Sequence, residues 1–420
     1  MKSVIVVGLQ WGDEGKGKII DALAPGFDYV VRSNGGNNAG HTVVVDGIKY
    51  PLSLVPSGVL QGKKLLIAQG VVITPNVLLD EIAMLTGRGI VIHLTIDPRC
   101  HIVMPYHQLL DAANEQWKGK LATGSLHLGI GYCYEDRNNR HGIRMEDLIR
   151  PNVLAEKVRL FFPLKKAMIE KAYGMKTNMN VDEMIKTYSA YGKRLAIYVD
   201  DVARLVGKDI DRRAFLFEQA HGTMLDPVFG TYPYTVAPPT IASSVFSSVG
   251  IPSRELPVLG VVKAYTTRVG NGPLPTEIQG NIGDQIRAEG AEFGTVSKRP
   301  RRVGWLDLPQ LKFAVRVNGC TALALTKLDV LDSLSSLDAC TYYSYKGTRL
   351  REFPSEMNTL PQCKPVYKRL RGWRKNISTI KTFSALPGEA KAYIAFIQSQ
   401  LGIPIKYISY GAERGALLCR

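Results

Sequence analysis

Several scarcities narrow the reading of this chain. Its six cysteines (Cys100, Cys133, Cys320, Cys340, Cys363, Cys419) are scattered through 420 residues and form no Cys-x-x-Cys pair. A structural zinc site or a disulfide framework is therefore not expected, and a reducing compartment fits. No apolar run approaches the ~20 residues that a helix needs to span a bilayer. One lysine, a short apolar strand and then Trp11-Gly12-Asp13-Glu14 do not have the layout of a secretion signal, so a cytoplasmic location is expected. Acidic residues are in deficit: 37 Asp and Glu stand against 53 Lys and Arg, leaving a net charge of +16. That surplus suits small anionic substrates or nucleic acid. The densest basic run, Lys298-Arg299-Pro300-Arg301-Arg302, has no aromatic residues interleaved with it, which disfavours a platform for stacked single strands. A clamp on phosphate or carboxylate is the better reading, because arginine forks bind both bidentately.

What is present is ordinary globular material. Apolar residues make up 45% and charged residues 21%, and a chain of this length can bury a large core. Short β-branched runs at Val4–Val7, Tyr29–Arg32, Leu65–Ile67, Ile90–Thr95, Ala214–Phe217, Leu259–Val262 and Thr321–Leu325 read as strands. Asn76–Thr86, Pro105–Trp117 and Pro387–Gln400 read as helices, the first stopping at Gly87. This alternation predicts an α/β fold with a mostly parallel central sheet flanked by helices. Val43–Tyr50, centred on Asp46-Gly47, predicts a hairpin. Residues 147–207 are polar and helix-rich and predict an insertion covering the sheet. With no repeat, linker or low-complexity tract, residues 1–420 are expected to form one domain with helical and hairpin subdomains.

The chemistry concentrates in Gly8–Thr42, where two glycine-rich loops each follow a short apolar strand. The first sets Asp13, Glu14, Lys16 and Lys18 among Gly12, Gly15 and Gly17. The second sets Asn34, Asn37, Asn38 and His41 among Gly35, Gly36 and Gly40. Glycines let backbone N–H groups approach a phosphate, lysine adds a point charge, and a helix starting near Gly15 adds its positive end. The carboxylate and the imidazole are candidates for acid–base work. As a generic phosphate loop, G-x-x-x-x-G-K-[ST], the match is degenerate: Gln10 replaces the first glycine and Gly17 the final hydroxyl residue. A glycine-rich turn capping a helix would read the same way in isolation.

The full strings are more specific. QWGDEGKGKI and NGGNNAGHT, followed by Tyr134–Arg137 (YEDR), Gly230–Tyr234 (GTYPY), Thr266–Glu277 (TTRVGNGPLPTE), Arg299–Asp307 (RPRRVGWLD) and Thr326–Asp332 (TKLDVLD), resemble the adenylosuccinate synthetase family in order along the chain. The resemblance implies a P-loop-like strand, loop and helix at Val4–Ala24 and a ligase that phosphorylates the 6-oxygen of IMP from GTP, then displaces phosphate with L-aspartate. It implies that Asp13 is the general base at purine N1 and a Mg2+ ligand, with the Gly40 carbonyl in the same shell, His41 the general acid, and Lys16 a counter-charge to phosphate. GTP would meet Gly12, Gly15, Lys16, Gly17, Gly40, His41, Thr42 and Arg301, with Lys327, Asp329, Ser409 and Gly411 at the guanine. The IMP-like nucleotide would meet Asn38, Thr123, Arg140, His221, Thr235 and Arg299, and aspartate would meet Val296, Ser297, Arg299 and Arg301. Arg140 would reach into a neighbouring subunit's site, implying a homodimer; nucleic acid and membrane are not expected partners.

Departures from the family pattern gather around the purine-nucleotide pocket. His221 stands in Glu218–Thr223 (EQAHGT) where the family has glutamine, and Val236 stands at the place of a phosphate-binding threonine, with Thr235 one position early. The loop Gly124–Gly131 looks longer than the family's and lacks its arginine, and Val296-Ser297-Lys298 replaces Thr-Thr-Gly. Two alternatives therefore stay open beside the family reaction: a ligase of the same mechanism acting on GMP, dGMP or another oxo-compound, and a non-catalytic purine or nucleic-acid binder. Retention of Asp13 and His41 favours the family reaction.

Overall fold

The computed structural model describes residues 3–294 and 300–420. Its centre is a nine-stranded sheet in the order Leu417–Cys419, Ile405–Ser409, Ala322–Thr326, Val258–Lys263, Val4–Gly8, Phe215–Glu218, Tyr29–Arg32, Lys64–Ile67 and His93–Ile96. Every neighbouring pair is parallel except the edge strand Leu417–Cys419, which runs antiparallel to Ile405–Ser409. Strands such as Phe215–Glu218 and Val258–Lys263 are buried along their whole length, because helices cover both faces of the sheet. This is the expected α/β architecture.

Most expected elements appear within a residue or two of their expected ends, including the helices Pro75–Gly87, Pro105–Lys118 and Gly388–Leu401. The hairpin forms from His41–Val45 and Ile48–Leu52, and its two turn residues, Asp46 and Gly47, both take positive φ (51° and 75°), as a two-residue hairpin turn requires. The run Ile90–Thr95 is corrected: the strand begins only at His93. Ile90 is spent on closing the preceding helix, its N–H donating to the Leu85 carbonyl (3.1 Å) while Gly89 turns left-handed (φ 78°). Several features have no counterpart in the sequence reading, among them the sheet strand Ile405–Ser409, the helix Leu308–Asn318 and a long antiparallel pair, Ser336–Tyr345 with Lys364–Arg371.

The helix-rich stretch contains Pro151–Ala167, Val181–Leu195 and Val202–Asp209. The first two pack on Pro105–Lys118 and Pro75–Gly87 respectively, and so lie outside helices that themselves face the sheet. Leu154, Val158, Phe162, Met184 and Tyr188 join the apolar cluster that holds Leu65, Ile67 and Ile96 of the sheet. No helix among the described residues is long and apolar enough to cross a membrane.

The parallel arrangement puts the carboxyl ends of Val4–Gly8, Tyr29–Arg32, Phe215–Glu218, Val258–Lys263, Ala322–Thr326 and Ile405–Ser409 on one edge of the sheet, where open α/β sheets bind ligands. The glycine loop leaves that edge over Gly260, where an added Cβ would lie 2.6 Å from Leu9 Cδ1 and 3.0 Å from Leu323 Cδ2. The first loop is thus seated on a strand position that must lack a side chain. Gly260→Ala is expected to cost ~1–3 kcal/mol through overpacking, read from denaturant unfolding; an unchanged midpoint would show that Leu9 moves aside freely.

Candidate active site

The first glycine loop is folded around a carboxylate. Glu14 is fully buried, and its Oε1 accepts the backbone N–H groups of Gln10 (3.1 Å) and Gly12 (2.9 Å), while Oε2 accepts Lys16 Nζ (2.6 Å). A Cβ at Gly8 or at Gly222 would fall on this carboxylate, so both positions must be glycine to leave it room. The loop then passes through Asp13, which sits at φ 58° between left-handed Gly12 and Gly15, a strained region for a residue with a side chain. That turn leaves the Asp13 carboxylate about a third exposed, paired with Arg301 (2.7 Å). The helix Lys16–Leu23 starts immediately after Gly15.

Both departures from the generic phosphate loop have structural causes. Gln10 ties the loop to the neighbouring strand: its Nε2 donates to the Tyr265 carbonyl (2.8 Å) and its Oε1 accepts the Lys263 N–H (2.9 Å). Gly17 lies under His41, where an added Cβ would meet the His41 Cβ and Cγ at 3.0 Å. A hydroxyl residue there would displace the imidazole.

The second loop is held by buried polar groups. Arg32 donates to the carbonyls of Ser53 and Gly36, and Asn34 clips the loop to two others, accepting the Ala220 N–H (2.7 Å) and donating to the Pro239 carbonyl (2.7 Å). Its end delivers His41 as the first residue of the hairpin. His41 Nε2 lies 2.9 Å from Ser57 Oγ and 3.3 Å from Glu218 Oε1, and Glu218 also accepts the Ser57 hydroxyl and N–H (both 2.9 Å). One imidazole nitrogen is therefore fixed from behind. Burial pushes the His41 pKa down to about 4, with Glu218 opposing and Arg32 and Lys16 adding to the drop. Glu218 and Ser57 are absent from the sequence reading as functional residues; the signal available was Glu218 at the end of a buried strand inside a family motif.

His221 takes φ 65° beside Gly222, near Gly35, with Nε2 buried and without a partner among the described residues. Burial, with the charges of Lys16 and Arg32, holds its pKa down to about 3, so the ring is neutral. Asn38 Oδ1 is likewise buried and unpartnered. Thr123 Oγ1 donates to Glu115 Oε2 (3.0 Å). Thr235 is half-buried, and the next N–H, that of Val236, is pinned to the Leu225 carbonyl (2.9 Å). Gly40 is half-buried and Thr42 exposed at the hairpin's mouth. Arg140 stands apart from this group, exposed at the end of the helix Ile130–Asn139 with φ 65°. Val296, Ser297 and Arg299 lie outside the described residues. The two arginines that follow split their work: Arg301 turns to Asp13, whereas Arg302 pairs with Glu277 (2.7 Å through Nε).

The expected guanine residues also meet. Leu328 N–H donates to the Ser409 carbonyl (3.2 Å), and Lys18, from the loop's own helix, donates to Ser409 Oγ (2.7 Å), the Gly411 carbonyl (2.6 Å) and the Ala416 carbonyl (2.8 Å). Asp329 Oδ1 is buried with no partner among the described residues, and burial raises that carboxyl's pKa. An orphaned buried acceptor is costly unless a ligand donates to it. Lys327 is folded back, its Nζ bound to the Gly290 carbonyl (2.7 Å) and Glu292 Oε1 (2.8 Å), which leaves its stem to cover a ring.

Asp13 and the Gly40 carbonyl are a sparse donor set for a divalent cation. Among the described residues no cluster of three or more His, Cys, Asp or Glu could hold a metal ion. One carboxylate with a carbonyl fits a hard cation that takes most of its shell from substrate phosphate oxygens and water.

The chain is similar to known proteins over its whole length. The family model described as adenylosuccinate synthetase matches residues 5–418. The adenylosuccinate synthetase of Acetivibrio thermocellus is 46% identical over 418 residues, 99% of this chain and 98% of that one. That of Thermodesulfovibrio yellowstonii is 44% identical over 425 residues, 100% and 99% of the two chains. The fully ligated adenylosuccinate synthetase from Plasmodium falciparum superposes with a TM-score of 0.95 at 35% identity, covering 100% of both chains. A cyanophage S-2L succinoaminodeoxyadenylate synthetase bound to dGMP and dATP has a TM-score of 0.60 at 18% identity over 100% of this chain and 95% of that one, and shares the fold.

Two outcomes are expected. Asp329→Asn should cut the preference for GTP over ATP by roughly tenfold or more, since a buried pairing is worth ~1–3 kcal/mol; an unchanged preference would place guanine elsewhere. His41 and His221 titrate near 6.5 when unfolded but only near about 4 and about 3 when folded, so the unfolded chain takes up protons first as pH falls. Their contribution to stability is complete above pH 6.5 and is lost as the pH falls through the folded values. Denaturant midpoints measured across that range should fall on acidification, and less steeply in His221→Asn; identical slopes would contradict burial of a neutral His221.

Proposed function

The chain belongs to the adenylosuccinate synthetase family, and from that premise we propose how its loops carry the family's reaction. The protein is a GTP-dependent ligase that joins L-aspartate to C6 of IMP, giving adenylosuccinate, GDP and phosphate. The observation that carries the residue roles is the approach of Asp13 and His41 to one glycine loop from different strands: Asp13 lies within the loop, and the His41 ring rests on Gly17.

Asp13 takes the proton from purine N1, which drives electron density onto O6. O6 attacks the γ-phosphorus of GTP, the bond from that phosphorus to the GDP oxygen breaks, and the 6-phosphoryl intermediate forms. His41 donates through its forward nitrogen to the transferred phosphoryl group, while Ser57 and Glu218 hold the other nitrogen. The ring is neutral before nucleotide binds, and the approach of the γ-phosphate, aided by Glu218, favours its protonation. The aspartate amine then attacks C6, and phosphate leaves with the former O6. This is positioning and charge stabilisation, the usual demand of phosphoryl transfer.

Lys16 reaches the phosphates with the N–H donors that Glu14 does not use. The Asp13 carboxylate and the Gly40 carbonyl would hold magnesium, which would supply charge neutralisation to the phosphates. Arg301, which pairs with Asp13, turns to the carboxylate of aspartate or the GTP side when they bind, with Val296, Ser297 and Arg299 completing the aspartate site. Asp329 accepts from guanine N1–H and the 2-amino group, and the Lys327 stem covers the ring. Gly12, Gly15, Gly17 and Thr42 line the triphosphate, and Ser409 and Gly411 close the guanine site. Asn38, Thr235 and Thr123 serve the IMP phosphate, Thr123 after releasing Glu115, while His221 donates to O6 or N7. Arg140 reaches the site of a second subunit in a cytoplasmic homodimer, and residues 1–420 act as one catalytic domain.

Phosphate release from GTP with magnesium and L-aspartate, run in parallel with IMP, GMP and dGMP and with products identified by mass, tests this reading. IMP alone should support turnover and yield adenylosuccinate, and Asp13→Ala should abolish that turnover while GTP still binds. Turnover with GMP or dGMP instead would assign a different nucleotide, and appreciable activity in Asp13→Ala would place the base elsewhere.

A further inference from the structure

A buried carboxylate behind the site, that of Glu292, has no part in the roles above. Glu292 is 3% exposed. Its Oε1 accepts Lys263 Nζ (2.9 Å), Lys327 Nζ (2.8 Å) and the Tyr265 hydroxyl (2.5 Å), and its Oε2 accepts Lys263 Nζ again (3.0 Å). Burial works against the charge on this carboxyl, but the two ammonium groups outweigh it and hold the pKa down to about 2. Glu292 is thus a permanent anion, and removing it would leave two lysines, one of them wholly buried, without their counter-charge.

This carboxylate reaches the site through its two lysines. Lys327 follows the strand Ala322–Thr326 in a left-handed conformation (φ 56°), two residues before the orphaned Asp329. With its ammonium tied to Glu292, its stem has one place to lie. Arg301 meets residue 292 through the main chain alone, its N–H donating to the Glu292 backbone carbonyl (2.8 Å), while its guanidinium reaches Asp13. Lys263 donates its own N–H to Gln10 (2.9 Å), the residue that anchors the glycine loop. A long side chain in water samples many rotamers, and fixing one costs conformational entropy. A fixed anion that meets this cost before ligands arrive is preorganisation.

We propose that Glu292 is a positioning residue that sets the guanine-covering stem of Lys327 from a buried carboxylate, so that affinity for GTP depends on it. The proposal rests on the reading of Lys327 given above. Glu292 itself touches no substrate, so its effect falls on GTP binding more than on the chemical step.

Glu292→Gln keeps the shape and removes the charge. It should raise KM for GTP by roughly tenfold, with smaller changes in kcat and in KM for L-aspartate, because the backbone carbonyl that holds the Arg301 N–H is retained. Lys327→Met keeps the stem and removes the tether, and should raise KM for GTP alone. In the double variant the GTP penalty should not exceed that of Glu292→Gln, because one tether is lost once. Glu292→Asp, which retains the anion one carbon back, should give an intermediate penalty on GTP and serves if the glutamine variant does not fold. Calorimetric GTP affinities of the same proteins without IMP or aspartate report the coupling without turnover. Lack of turnover in the parent would thus count against the substrate reading alone. A Glu292 variant that loses only kcat, a KM penalty on L-aspartate as large as that on GTP, or additive GTP penalties in the double variant would overturn the proposal.

Discussion

The Glu14 carboxylate, enclosed by the loop that carries it, is the constraint around which the site is arranged. It accepts two backbone N–H groups and the Lys16 ammonium with no solvent contact. In a generic phosphate loop those donors would point at a ligand; here the chain supplies its own anion to part of the loop. Once that carboxylate is in place, Gly8 and Gly222 cannot carry side chains, Gly12 and Gly15 must turn left-handed, and Asp13 is carried with them into a strained conformation that leaves its carboxylate accessible. A buried charge is tolerated only when paired and hydrogen-bonded, and Glu14 meets both conditions.

The same logic repeats at longer range. Glu218 fixes His41 and Ser57, Lys18 binds the Ser409–Ala416 turn to the loop's own helix, and Glu292 gathers two lysines and a tyrosine. Glu218 and Lys263, the buried lysine that Glu292 holds, stand at the carboxyl ends of parallel strands and Lys18 stands in the loop helix, where backbone groups leave the sheet and need new partners. The parallel sheet thus sets where the loops begin, and buried charged side chains set where they go. The surplus of basic residues serves this interior in part: Arg32, Lys18, Lys263 and Arg268 are all buried.

Local patterns were legible wherever a local cause acts. The hairpin at Asp46-Gly47, the strand before each glycine loop and the helix ending at Gly87 follow from turn chemistry and periodicity within a few residues. Ile90 misled because an apolar β-branched residue can close a helix as readily as open a strand. Gln10 and Gly17 looked like defects in a phosphate loop because their reasons are remote in sequence: Gln10 binds Tyr265 and Lys263, and Gly17 makes room for His41. For the same reason Ser57, Glu218 and Glu292 could not be assigned from sequence, since a carboxylate's partner is decided by which strands lie side by side. The resemblance carried the site residues further than periodicity could, and the geometry brings together Asp13, Arg301, His41, Lys16, Asp329 and Ser409 while leaving Arg140 apart at the surface.

The central claim is that O6 of the purine nucleotide is phosphorylated and then expelled. If so, the oxygen that begins on C6 must end in inorganic phosphate. IMP labelled with oxygen-18 at O6, turned over with GTP and L-aspartate, is the direct measurement. Phosphate carrying one labelled oxygen is the predicted result. Unlabelled phosphate alongside adenylosuccinate would mean that GTP is hydrolysed without activating O6, and would contradict the account.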